Sequence, residues 1–307
     1  MVPLSFIKMH GCGNDYVFID CFTQPVPADP GKLSQTVSNR HCSVGSDGLV
    51  LMLPPAVADA DATMRMFNAD GSEGSLCGNA LRCFAMWLHQ SGRCGTDFCI
   101  EMAGRRIRCE VVQSDVADRS AIIRTAFGKP GELAPNRATA ARLSPFAIPL
   151  ELPDVSVEGQ CGGTLHVSMG NPHTVFFVES LSEVSFDTLG PRIEHHVKFP
   201  HRTNVEFVEV TGENDCRVRV WERGSAETMA CGSGACAVAV AGLSAGRFRP
   251  GKPISVQMSG GLLTISLDED WNVSLQGPAA ECCRGTLPPS AFTKQAENTL
   301  SDANSPN

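Results

Sequence analysis

Short apolar runs recur along the whole chain, either alternating with polar residues or rich in β-branched side chains. A period of two marks a strand with one covered face. The pattern predicts strands over 16–21, 49–53, 106–112, 121–126, 164–169, 174–178, 205–210, 217–221, 254–258, 262–267 and 272–275. A helical period is clearest over 78–90 and 232–245, with shorter helices predicted over 31–40 and 181–194. Strands outnumber helices and are expected to be joined largely as hairpins. The two long helices then read as core helices around which strands curl. A stretch rich in Pro, Gly and Ala, 128–145, reads as a crossing between two halves of similar content. The organisation expected is an N-terminal half over 1–127 carrying Cys77, joined by a returning segment near 277–288. A C-terminal half over 128–276 carries Cys231, and the polar stretch 289–307 is expected to be a disordered tail.

The two halves share one local setting. Cys77 follows Asn68-Ala-Asp-Gly-Ser-Glu73, and Cys231 follows Glu222-Arg-Gly-Ser-Ala-Glu227, so a glutamate stands four residues before each cysteine. A Cys-Gly-polar triplet then opens each long apolar helix. A helix N-terminus offers free backbone N–H groups and a positive dipole, which favour an anion and lower a thiol's pKa. Taken singly, either cysteine reads more simply as the buried start of a core helix. Their paired occurrence favours chemistry, with one thiol giving a proton and the other taking it.

Composition narrows the alternatives. A net charge of -8 excludes a general nucleic-acid binder, which needs a basic face. No apolar run approaches the roughly 20 residues of a membrane span, and the first residues do not read as a signal peptide, so a cytoplasmic protein is expected. The 14 cysteines include no Cys-x-x-Cys, so neither a zinc site nor a disulfide scaffold is indicated, and most are expected to be buried small hydrophobes. The run Gly246 to Lys252 resembles a phosphate loop but continues with Pro253 instead of Ser or Thr. Gly232-Ser-Gly234 imitates a dinucleotide fingerprint, but the acidic residue expected some 20 positions later is missing.

Polar residues cluster in short loops beside strands: Gly11-Cys-Gly-Asn14-Asp15, Gly170-Asn171-Pro172-His173 and Arg202-Thr203-Asn204. Asn there is often only a turn former, and a lone histidine is usually structural. Several Asn side chains with one Arg nevertheless form a suitable inventory for a zwitterionic amino acid.

Taken in order, GNDYVFID (13–20), FNADGSE (67–73), CGN (77–79), GNPH (170–173), RTN (202–204), and WERG (221–224) with ACGSGACA (230–237) resemble the diaminopimelate epimerase family over roughly residues 5–287. The resemblance implies an α/β (α+β) fold of two pseudo-symmetric halves, each a curled, mostly antiparallel sheet around a central helix. The active site lies in the cleft between them. It also implies a cofactor-independent enzyme that epimerises LL-diaminopimelate to meso-diaminopimelate in lysine and peptidoglycan biosynthesis, and a homodimer. By position, Cys77 and Cys231 would be the two bases, and His173 and Glu222 would support them near the reacting carbon. Asn14, Asn68, Asn171, Asn204, Glu222 and Arg223 would contact substrate, with no metal. The backbones of Gly78, Asn79, Gly232 and Ser233 would hold the reacting carboxylate. Ala80, Ala226 and Gly48 depart from common family patterns; some members have a substrate-touching Gln at the place of Gly48. A proline-type or basic amino-acid racemase would keep both thiols with a different distal grip. A redox or metal-binding protein would use the cysteines differently.

Overall fold

The computed structural model describes residues 3–74, 77–132 and 145–288. In chain order the first elements are β1 (Leu4–Gly11), β2 (Asn14–Asp20), α1 (Pro30–Ser38), β3 (Gly48–Leu53), β4 (Ala62–Asn68) and β5 (Glu73–Gly74). They are followed by α2 (Gly78–Gln90), β6 (Asp97–Met102), β7 (Arg105–Asp115) and β8 (Ser120–Gly128). After β9 (Ala147–Leu150) come β10 (Thr164–Ser168), β11 (Pro172–Val178), α3 (Phe186–Glu194), β12 (Asn204–Val210), β13 (Asp215–Glu222) and β14 (Ala226–Thr228). The described residues end with α4 (Gly232–Ser244), β15 (Ile254–Met258), β16 (Gly261–Leu267) and β17 (Val273–Leu287). The order β1 to β8 is repeated, element for element, from β10 to β17.

Strand pairing closes the first sheet into a ring. β2 pairs with β1, β1 with β17, β17 with β8, and so on through β7, β6, β4 and β3 back to β2. Helix α2 runs through it: Leu81, Phe84, Ala85 and Leu88 share one core with side chains from all eight strands. The second sheet runs β9–β10–β11–β12–β13–β15–β16–β17 and packs on α4. Val238, Val240 and their alanine neighbours make α4 apolar on every side, which only a helix enclosed by protein tolerates. Strand β17 serves both sheets and joins the halves.

Most consecutive strands are antiparallel neighbours joined as hairpins, as expected. Among the described residues four further pairs are parallel: β2 with β3, β4 with β6, β11 with β12, and β13 with β15. Each is bridged by one helix, because a parallel return needs a crossover. Helices α1 and α3 cover the outer faces of β2–β3 and β11–β12. Those strands are therefore apolar on both faces, as in Leu49-Val-Leu-Met52.

The predicted helix over 181–194 is two pieces: a 3-10 turn at Leu181–Glu183, extended Val184, then α3 begun by Ser185. Strands β1, β4, β6 and β9 escape the sequence pattern because Met, Cys, Ala and Pro dilute their β-branched signal. Most of the proposed crossing, 133–144, and the tail 289–307 lie outside the described residues. Among the described residues no helix is long and apolar enough to cross a membrane.

Candidate active site

Cys77 and Cys231 are the N-cap residues of α2 and α4. Both have extended backbone, and each sulfur accepts the N–H three residues on: Ala80 N–H at 3.5 Å and Gly234 N–H at 3.3 Å. A thiol here does what a Ser or Asp side chain does at an ordinary N-cap. The glutamates four residues earlier have no such contact. Glu73 forms a two-pronged pair with Arg65 (2.7 and 2.9 Å), and Glu227 forms the same pair with Arg219 (2.9 and 3.1 Å). These half-exposed clips tie β5 to β4 and β14 to β13, where the chain turns toward each thiol.

The two helix starts meet. Asn79 Nδ2 donates to the Ala230 carbonyl at 3.2 Å, beside Cys231, and to Asn14 Oδ1 at 3.1 Å. Cys77 Sγ lies 3.4 Å from the same Asn14 oxygen. Phe127 lies beside both Gly78 and Gly232, its ring within ordinary contact distance of where a Cβ at either glycine would stand (3.5 and 4.0 Å). The pairs Gly78-Asn79 and Gly232-Ser233 therefore open their helices on two sides of one junction.

On the second half, His173 is fully buried between Glu206 (Nδ1 to Oε1, 2.6 Å) and Asn171 (Nε2 to Oδ1, 3.0 Å). Asn171 Nδ2 donates to Ser233 Oγ at 3.3 Å. Asn204 is buried and fully engaged: Oδ1 accepts from Arg223 N–H at 2.9 Å, and Nδ2 donates to the Pro172 carbonyl at 2.8 Å. Its amide holds the Arg223 turn and the β11 start together. The Arg223 guanidinium is exposed, with one bond to the His201 carbonyl. Glu222 accepts from Thr228 Oγ1 and from Cys231. Asn68, at the end of β4, donates to Ser72 Oγ at 2.9 Å.

Electrostatics correct one expectation. The helix N-termini do not leave low-pKa thiols. Burial pushes Cys77 up, against donors from Ala80, Tyr16 and Asn79, with Glu222 adding to the rise. Burial pushes Cys231 well up, reinforced by Glu222 and Glu206, against Ser233 and Gly234. Glu222 is itself raised by burial. Desolvation outweighs the dipole here. All 14 cysteines are free; seven are buried, four intermediate and three exposed, so only half are the buried small hydrophobes expected. Among the described residues no group of three or more His, Cys, Asp or Glu is arranged to hold a metal ion.

Three residues of the site escaped the sequence reading. Tyr16 hydrogen-bonds to Cys77 and Asn14. Arg82 is fully buried and bonded to no carboxylate among the described residues; it donates to Asn79 Oδ1 (2.7 Å) and to the Gly78 and Pro278 carbonyls (3.2 Å each). Its guanidinium fills a slot between two glycines: a Cβ at Gly11 would sit 2.9 Å from Nη2, and one at Gly277 3.1 Å from Nε. Glu206 is the third. The available signal was the same for the last two, a charged residue inside an otherwise apolar run.

A family model described as diaminopimelate epimerase matches residues 6–126 and 165–281. The diaminopimelate epimerases of Pelotomaculum thermopropionicum and Moorella thermoacetica are each 41% identical, over 300 and 288 residues, covering 93% of this chain and 99% of each relative. Solved structures share the fold at low identity. The Bacillus anthracis phenazine biosynthesis protein of the PhzF family has a TM-score of 0.66 at 14% identity, covering 94% of this chain and 100% of the other. A probable proline racemase from Agrobacterium radiobacter K84 has a TM-score of 0.64 at 14% identity, covering 94% and 95%. Together with six motifs in order, these matches place the chain in the diaminopimelate epimerase family.

Proposed function

We propose that the chain interconverts LL- and meso-diaminopimelate by a two-thiol, cofactor-independent epimerisation in lysine and peptidoglycan biosynthesis. The observation that carries this reading is the pair of N-cap cysteines, one from each repeat, joined across the Asn79–Ala230 bond. One thiolate removes the α-proton, and the electron pair moves into the reacting carboxylate. The opposite thiol then gives its proton to the other face of the carbon. Charge builds on the carboxylate in between, so the N–H groups of Gly78, Asn79, Gly232 and Ser233 act where stabilisation counts most. The α-ammonium of the bound amino acid brings a positive charge that offsets the burial opposing a thiolate.

His173 and Glu222 support Cys231. Asn14, Asn68, Asn171, Asn204, Glu222 and Arg223 form the polar wall, with Arg223 as the grip for a distal carboxylate. Because Asn204 is engaged on both sides of its amide, its part is to hold Arg223. We read residues 1–127 with 277–288, and 128–276, as the two domains. The enzyme is proposed to be cytoplasmic and homodimeric.

The test is incubation with LL-diaminopimelate in D₂O, with α-deuteration followed by NMR. Wild-type enzyme should exchange the α-proton while forming the meso isomer, and Cys77→Ala and Cys231→Ala should each lower epimerisation at least about a hundredfold. Near-wild-type epimerisation by either variant, or exchange on proline but not diaminopimelate, would overturn the reading.

A further inference from the structure

The strand registers give each thiol a matched set of neighbours. Asn68 and Glu222 each stand nine residues before a thiol, and in register Phe67, just before Asn68, faces Leu49 where Trp221, just before Glu222, faces Val205. The same alignment matches Tyr16 with His173, Asn14 with Asn171, and Val50 with Glu206. The surroundings of the two thiols are therefore one plan with different residues. Cys77 faces Tyr16 of β2, and beyond Asn14 lies Asp47, which is paired with Arg40 at 2.9 Å. Cys231 faces Glu222 of β13 and Glu206 of β12, with His173 of β11 beyond. Glu222 also reaches Cys77, as the weakest of its influences.

Glu206 is the unusual member. It is fully buried, and its Oε2 is the one buried side-chain nitrogen or oxygen among the described residues without a hydrogen-bond partner. Such an atom is costly and calls for a reason. Its carboxylate lies against the first turn of α4: a Cβ at Gly234 would be 2.9 Å from Oε1. A bonded path also runs from Glu206 through His173, Asn171 and Ser233 to Cys231, the last step being 3.4 Å. The matching place in the other half holds Val50, which carries no charge.

We infer that Glu206 is a positioning residue that breaks the symmetry of the thiol pair: it makes Cys231 the proton-carrying partner in the substrate-free enzyme and leaves Cys77 as the base. The inference rests on the two-thiol reading above. A buried negative charge under one helix start disfavours a second negative charge on that helix's capping sulfur, and Val50 imposes no such penalty on Cys77. The upward shift of Cys231, which comes first from burial, then from Glu222 and then from Glu206, agrees with this direction.

The experiment is carbamidomethylation by iodoacetamide across a pH series, with each cysteine quantified by peptide mass spectrometry. In wild-type protein the midpoint of Cys231 labelling should lie above that of Cys77. In Glu206→Gln, which keeps the side-chain shape, Cys231 should label at least about threefold faster below both midpoints, with Cys77 changed by less than about twofold. A role confined to packing would speed both thiols alike. An unchanged Cys231 profile, or equal acceleration of both, overturns the inference. Should Glu206→Gln not fold, the wild-type order decides, since a Cys231 midpoint at or below that of Cys77 overturns it. Loss of α-deuteration with the labelling order intact would instead count against the epimerase reading.

Discussion

Single side chains decide how the two halves meet. Arg82 can only donate, so its bond to Asn79 Oδ1 fixes which end of that amide faces the junction. Asn79 Nδ2 is thereby aimed at Ala230 and Asn14, and the Asn14 oxygen at Cys77. Replacing Arg82 with Met leaves buried carbonyls without their donor and frees Asn79 to turn over. Arg82→Met should lower the unfolding free energy by roughly 2–4 kcal/mol in urea titrations and reduce epimerisation in the folded fraction. An unchanged midpoint would show that the slot does not need its guanidinium. The cysteines, Asn loops and Arg223 were legible as residues because their types and spacing carry chemistry. Arg82 and Glu206 were not, because only the fold shows a charge in an apolar run to be buried and aimed at the site.

At the scale of the element, the long helices were readable to within a residue, and so was their beginning at a Cys-Gly pair. What the sequence did not disclose is that the cysteine itself is the cap. The strands were readable where β-branched residues cluster and lost where methionine replaces them, as in Ala62-Thr-Met-Arg-Met-Phe67. Gly48 illustrates how an element constrains a family position. A Cβ there would lie 2.2 Å from the Phe67 carbonyl and 2.9 Å from Tyr16 Cε1, so β3 and β4 must separate to admit any side chain. Gly48→Gln should therefore cost about 1–3 kcal/mol of stability, measured by urea unfolding. A stability equal to wild type would mean that the strands yield more easily than their pairing suggests.

At the scale of the whole molecule, two helices enclosed by sheet bury many ionisable thiols. Burial raises Cys21 to about 11 and Cys216 to about 12, and Cys83, Cys109 and Cys236 are also raised by it. The sign follows directly. Above the ordinary thiol value, the unfolded chain releases protons that the folded chain retains, so the folded state is disfavoured as pH rises. Stability should be intact below about pH 8.5 and fall above it, by up to about 1.4 kcal/mol per pH unit for each fully buried thiol. A urea midpoint lower at pH 10 than at pH 7.5 would bear this out, and equal midpoints would contradict it.

The sequence by itself determined the duplicated thiol loops, the two core helices and the family, because these are local: a cap, a period and an ordered set of motifs. The tertiary structure decided the rest. Closing the first sheet brought β17 back to β1, and the four helical crossovers made parallel pairs that no local pattern encodes. Burial raised thiols that a bare helix end would have acidified, since desolvation depends on everything packed around the sulfur. The same packing set Glu206 on one side and Val50 on the other, making two halves built on one plan chemically unequal.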